Sequence, residues 1–320
     1  EGADGEGPPR LLAAYLARQR RRRSRQTGPL EPAGQPPTPV RSPLSPLPAP
    51  PAVLGPGPVY RLTLLGDPSV RQVDANGAGQ QLEWRLRRSF LVLAFLASSP
   101  GLSARREDLV EAVWPREGEQ TIDRNFHPTL SHLRRSLAGD RRDGVPPPLL
   151  FRTGVYRLNP EITWEIDLLD FRRLVEEGRA AVARDALDAS GAANPAVAAW
   201  QQAWKLYRGP FLQGYYDAWV STRRETYHRL YLELLRELGD LYVRLGRLDE
   251  AMDAFRSVLV EDPLQERVHL AVMRIYAAQG RRDFLRKQYD RLCTLLLEEL
   301  GVEPLPETTQ EYHRLISSGS

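Results

Sequence analysis

One stretch constrains the fold more than any other: Thr121-Ile-Asp-Arg-Asn-Phe-His-Pro-Thr-Leu-Ser-His-Leu-Arg-Arg-Ser-Leu137, followed by Leu149-Leu-Phe-Arg-Thr-Gly-Val-Tyr-Arg-Leu158. In the first piece Phe126, Leu130, Leu133 and Leu137 recur at spacings of 4, 3 and 4. At 100° per residue they fall within about 60° of one another, so the segment reads as an amphipathic helix. Arg124, Ser131 and Arg135 lie opposite, flanked by His127 and His132. The second piece reads as a short basic hairpin with a glycine in its turn. Pro128 would remove one helical hydrogen bond and crowd the Arg124 carbonyl, at a cost of about 3 kcal/mol inside a helix but little in its first turn. The regular helix is therefore expected to begin near Pro128, after a separate turn at 121–126.

The remaining sequence sets the frame. At 320 residues with 42% hydrophobic content, the chain has room for two ordinary domains and a linker. One cysteine, Cys293, excludes an intrachain disulfide framework and fits a reducing cytosol; it is expected to be a small core residue. No window approaches the roughly 20 apolar residues that span a bilayer. The net charge of +3 is unevenly spread: residues 59–160 carry 15 Arg against 11 acids, residues 161–320 carry 21 basic against 26 acidic groups. The positive excess accompanies the helix and hairpin, which suits a polyanionic partner.

Residues 1–58 read as a disordered basic and proline-rich arm or linker, with 12 prolines between Gly28 and Pro58. Its short apolar run, Leu11 to Ala17, precedes arginines from Arg18 to Arg25 and has a second reading, the cytoplasmic end of a membrane helix lying upstream. From Val59 the alternation of Tyr60, Leu62 and Leu64 signals a strand, Asn76-Gly77 a hairpin turn, and Leu82–Trp84 a further strand. Residues 89–97 are apolar nearly all round, as in a buried helix. Ser103 is the expected N-cap of a second helix that turns Leu109, Val110, Val113 and Trp114 inward and closes at Pro115. Trp164 to Asp167 reads as a linker or helix start. The chain beyond is expected to be all helix, with Leu238-Gly239, Tyr242, Gly246, Ala251, Phe255 and Pro263 at tetratricopeptide-repeat spacing. Adding 34 lands on Tyr276, Gly280 and Tyr289, with Leu285 where the small residue belongs; no earlier copy stands out.

Two helices, a third basic helix and a hairpin are the layout of a winged helix. Arginine pairs with guanine edges or phosphate, asparagine with adenine, and Ser, Thr and His with phosphates. The candidate DNA-binding residues are Arg124, Asn125, His127, Thr129, Ser131, His132, Arg134 and Arg135 on the helix, and Arg152 and Thr153 on the hairpin. With the regular helix starting at Pro128, Ser131, His132 and Arg135 are the best placed of these.

The run Leu91 to Leu96, Leu109 to Trp114-Pro115, Arg124 to Leu137 and Gly154-Val-Tyr-Arg-Leu158 resembles the OmpR-type winged helix of the SARP family of bacterial transcriptional activators. Tyr207-Arg-Gly-Pro-Phe-Leu212, Asp262-Pro-Leu264, Met273-x-x-x-Tyr276 and Glu299-Leu-Gly-Val-Glu-Pro304 resemble the bacterial transcriptional activator domain that follows it in that family. The resemblance covers about residues 59–317. It implies an α+β winged helix-turn-helix domain over 59–160 followed by an all-α, TPR-like helical domain over 161–320. It further implies promoter binding, a homodimer on repeated sites, and contact with RNA polymerase or other transcription proteins. The proline-rich arm and the lack of an attached nucleotide-binding domain depart from the pattern.

Other chemistry finds no footing in the sequence. There is no phosphate-binding loop, no paired Cys or His at metal spacing and no nucleophile elbow, so neither an enzyme nor a cofactor is expected. Tyr215, Tyr216 and Trp219 read as packing residues. The alternative from a different class is a protein interaction scaffold: a degenerate winged helix beside peptide-binding repeats, tethered to a membrane if an upstream segment exists. Acids such as Glu117, Glu119 and Asp123 covering the arginine strip would favour it.

Overall fold

The structure is a computed structural model and describes residues 59–73, 79–138, 146–184 and 194–318. The arm over 1–58 and the Asn76-Gly77 turn lie outside the described residues. Two compact units emerge, divided between Asp262 and Pro263.

In the larger unit, strands β1 (Val59–Thr63), β2 (Ser69–Val73) and β3 (Gly79–Gln81) form a sheet with β7 (Thr163–Ile166), in the order β3-β2-β1-β7. The β1/β2 and β2/β3 pairs are antiparallel, while β1 and β7 run parallel. Tyr60 and Leu62 are buried and Arg61 between them is exposed, as the pleat requires. Tyr60 stacks on Trp164 at 4.9 Å between ring centres. The 163–166 segment is thus a strand rather than a linker. Asp167, at its end, accepts hydrogen bonds from Leu64 N and Leu65 N at 2.9 and 3.0 Å and from Leu168 N at 2.7 Å. Burial raises its carboxyl above the usual range despite these donors. The expected strand at Leu82–Trp84 is irregular; Leu82 N still bonds Val70 O, but Trp84 turns to pack on Phe90.

Helix α1 (Arg87–Ala97) buries eight of its eleven residues. Ser103 does not cap the next helix. It lies in β4 (Ser103–Arg105), drawn into a second sheet, β4-β6-β5, by pairing with Arg157. Helix α2 (Arg106–Val113) starts three residues later, with the Asp108 carboxylate accepting from Arg105 N. The hairpin is β5 (Leu149–Arg152) and β6 (Val155–Leu158).

Helix α3 spans Glu119–Ala138 as one helix with Pro128 inside it, so the expected break before Pro128 is absent. The reason lies in the apolar stripe, which extends further upstream than its spacing suggested. Ile122, Phe126, Leu130, Leu133 and Leu137 are all buried along the helix. Burying side chains of this size is worth about 1.5–3 kcal/mol each, enough to offset one proline. The ring itself lies on the exposed face.

Beyond β7 the unit is helical: α4 (Asp167–Ala183), α5 (Pro195–Leu206), α6 (Ala218–Arg244) and α7 (Leu248–Glu261). Gly239 of α6 faces Phe255 of α7 so closely that a Cβ would lie 2.6 Å from the ring. The same device occurs one pair earlier, where no repeat was expected. A Cβ on Gly178 of α4 would lie 2.1 Å from Trp200 Nε1 of α5, and that nitrogen donates to Val175 O at 3.0 Å. Arg223 of α6 reaches α1, donating to Phe95 O at 3.1 Å and to the hydroxyls of Ser98 and Ser99. Tyr216 is not a packing residue: it is 81% exposed, whereas Tyr215 and Trp219 are half-buried.

The smaller unit holds α8 (Glu266–Ala278), α9 (Arg282–Leu300) and α10 (Pro306–Ser317). The α8–α9 turn repeats the α6–α7 turn 34 residues on. A left-handed glycine, Gly246 or Gly280, is followed by an arginine whose N–H reaches back to a tyrosine carbonyl: Arg247 to Tyr242 at 2.9 Å, Arg281 to Tyr276 at 2.8 Å. Cys293 is half-buried rather than a core residue. No described helix is long and apolar enough to cross a membrane.

His269 gives this unit a pH dependence. Its Nε2 lies 3.0 Å from Pro263 O, which can only accept, so Nδ1 is left to accept from Gln288 Nε2 at 2.7 Å. Burial, with Arg291 nearby, holds its pKa below the ordinary value. A lowered pKa stabilises the fold above the unfolded value of about 6.5 and loses that contribution as the pH falls through the folded pKa. Protection factors in α8 and α9, taken relative to intrinsic exchange at each pH, are expected to fall between pH 7 and 5, and His269→Gln to flatten that dependence. An unchanged slope in the variant would refute the assignment.

Candidate nucleic-acid interface

The candidate residues follow the wheel of α3. Arg124, His127, Ser131 and Arg135 are exposed, while Asn125, His132 and Arg134 are half-buried. Thr129 is 5% exposed and its hydroxyl donates to Asn125 O at 2.7 Å, so it faces inward and is removed from the contact set. The His132 ring is held beside Ser136 Oγ, 3.3 Å from Nδ1. Ser89 Oγ of α1 donates to Thr129 O at 3.1 Å, and the Tyr60 hydroxyl donates to Leu137 O. The inner side of α3 is thereby pinned at its middle and its end, which fixes the direction of the outer side.

The hairpin turns through Thr153 and Gly154, both at positive φ (47° and 80°), the pairing that lets a two-residue turn follow the twist of its strands. Arg152 and Thr153 are exposed at its tip. Rings carry the hairpin onto α3: Phe151 packs on Tyr156 at 4.6 Å, Tyr156 meets Phe126 edge-on at 5.6 Å, and Phe126 meets Trp114 at 5.6 Å. Helix face and hairpin tip are therefore joined through one aromatic core.

Two acids that could have screened this surface are engaged elsewhere. Asp123 pairs with Arg106 at 2.7 Å, and Glu117 pairs with Arg88. Among the described residues no ion pair holds Arg124, Arg134, Arg135 or Arg152. Burial raises the Tyr156 hydroxyl above its ordinary pKa, and the charges of Arg134 and Arg106 oppose that rise. Sequence reasoning missed two members of the region. Arg106 covers the Phe126 ring at 5.1 Å. Phe151 is 54% exposed beside Arg152, although alternation from buried Leu149 would turn it inward; the hairpin simply outruns the core there. No group of three His, Cys, Asp or Glu side chains that could hold a metal occurs among the described residues.

Residues 166–316 match the family described as the bacterial transcriptional activator domain. The transcriptional regulatory protein MoaR1 of Mycobacterium tuberculosis is 25% identical over 247 residues, covering 76% of each chain. The regulatory protein DnrI of Streptomyces peucetius is 24% identical over 236 residues, 72% of this chain and 84% of DnrI. The regulatory protein AfsR of Streptomyces griseus is 26% identical over 227 residues, 70% of this chain but 22% of AfsR. Among solved structures, Mycobacterium tuberculosis EmbR, in complex with a low-affinity phosphopeptide, aligns with a TM-score of 0.66 at 19% identity. That alignment covers 82% of this chain and 66% of EmbR, and it speaks for the fold alone.

Proposed function

We infer that this chain, a transcriptional regulator of the SARP type carrying a bacterial transcriptional activator domain, reads promoter DNA through α3 and the β5–β6 hairpin. In this reading residues 59–160 are a winged helix-turn-helix domain: α3 is the recognition helix and the hairpin is the wing. Residues 161–320 are the helical activator domain, used for pairing with a second copy and for contact with RNA polymerase or other transcription proteins. The site of action is the cytoplasm.

The observation that carries the reading is the set of arginines on the outer α3 face and hairpin tip, which have no acid partner among the described residues while Asp123 and Glu117 are taken by Arg106 and Arg88. For two of the three acids that the scaffold alternative placed over the strip, Glu117 and Asp123, that arrangement speaks against it; the third, Glu119, is exposed in the first turn of α3. Serine and histidine positions on the same face suit phosphate, and Arg135 suits a guanine edge or a phosphate.

Anisotropy titration with duplex from the gene's own upstream region tests it. Each neutralised phosphate contributes a slope of about −0.9 in log K against log salt, so four arginines give about −3.6 and roughly a hundredfold loss between about 50 and 200 mM salt. Arg135→Ala and Arg152→Ala should each weaken binding and lower the slope by about 1. Absence of duplex binding at low salt, or full binding in both variants, would sink the reading.

A further inference from the structure

A cleft of about 570 Å³ opens beside α1, between the turn that ends α2 and the start of α6. That volume suits a small metabolite. Its walls carry three arginines and two carboxylates. Arg87 pairs with Asp217 at 2.7 Å and Arg88 pairs with Glu117, while Arg116 is exposed and no ion pair holds it among the described residues. The charge facing the cleft is therefore net positive.

Three further observations point to a ligand. Trp114 is 2% exposed, yet among the described residues its Nε1 has no hydrogen-bond partner, and Glu117 Oε2 is buried in the same condition. Buried donors and acceptors are nearly always satisfied, and both of these lie beside the Arg88 side chain, which covers the Trp114 ring and pairs with Glu117. Asp217 occupies the N-cap position of the 27-residue helix α6 but makes no capping bond; its carboxylate is held by Arg87. The positive end of that helix is thus uncapped at the cleft, where Ala218 is part of the lining. Tyr216, 81% exposed, stands in the same lining with its ring free to cover a bound molecule.

We propose that this cleft binds a phosphorylated, hydroxyl-bearing small molecule of the sugar phosphate class. The phosphate sits between Arg116, Arg88 and the α6 N-terminus. Hydroxyls are the groups that can both accept from Trp114 Nε1 and donate to Glu117 Oε2. Arg88 lies over the Trp114 ring at 5.6 Å and pairs with Glu117, so a phosphate drawing Arg88 outward uncovers both atoms. The sugar packs against Tyr216.

Calorimetric titration of the full chain, without DNA, with ribose 5-phosphate, glucose 6-phosphate and inorganic phosphate tests this apart from promoter binding. At least one sugar phosphate should bind saturably and about tenfold more tightly than inorganic phosphate. Arg116→Ala and Tyr216→Ala, both at exposed positions, should keep the fold by circular dichroism and weaken binding about tenfold. Trp114→Phe should abolish the preference over inorganic phosphate. Saturable heat absent for both sugar phosphates, or affinity unchanged in the Arg116 and Tyr216 variants, would overturn the proposal.

Discussion

Asp167→Ala is expected to destabilise the protein by about 3–5 kcal/mol, because each buried N–H stripped of its acceptor costs about 1–3 kcal/mol. Its carboxylate serves Leu64 N and Leu65 N, both on residues with no exposed surface, and Leu168 N in the first turn of α4. Among the described residues no other acceptor takes the Leu64 or Leu65 donor. Asp167→Asn should cost much less. Burial already disfavours the charge at this position, and a neutral amide keeps one acceptor oxygen. Urea denaturation of the three proteins checks the order; an alanine variant within about 1 kcal/mol of the parent would refute the role assigned here.

The second large effect concerns Gly178. Alanine there would place a Cβ 2.1 Å from Trp200 Nε1 and push that ring off the Val175 carbonyl. Alanine gains about 1 kcal/mol of helix propensity over glycine. Overpacking costs about 1–3 kcal/mol or more, and the displaced indole N–H loses its buried hydrogen bond, about 1–3 kcal/mol again. The net result is a loss of about 2 kcal/mol or more despite a better helix former. Trp200→Leu makes room for the methyl, so Gly178→Ala should be far less harmful in that background. A double-mutant cycle on thermal melts measures the coupling, and additive changes would show that the close approach carries no energy.

Much of the architecture was legible because it rests on local periodicity. The 4-3-4 spacing of Phe126, Leu130, Leu133 and Leu137 placed the buried face of α3, and the outward arginines followed from geometry. Alternation around Tyr60 and Leu62 placed β1. What escaped was non-local. Pro128 has a known local cost, but its tolerance depends on how much apolar surface the whole helix buries against α1 and the hairpin. Strand β7 is four residues long and forms by pairing with β1, a hundred residues upstream. The α4–α5 pair has no repeat signature beyond an isolated glycine, and the cost of filling its space shows only when Trp200 is opposite. For the candidate site, side-chain type and wheel position gave eight helical residues, yet only the packed structure separates inward Thr129 from outward Ser131 and shows where Asp123 and Glu117 spend their charge.

The parallel pairing of β1 with β7 bears on how such a protein can be recombined. A segment cut at residue 160 would keep its helices and hairpin but lose the neighbour of its first strand, the stacking partner of Tyr60 and the acceptor for Leu64 N and Leu65 N. The bared β1 would offer an open sheet edge, the geometry that recruits strands from other chains. A transplantable module therefore runs to about residue 168. On the proposed reading, DNA specificity is altered more simply by rewriting the α3 surface than by exchanging residues 59–160 as a block.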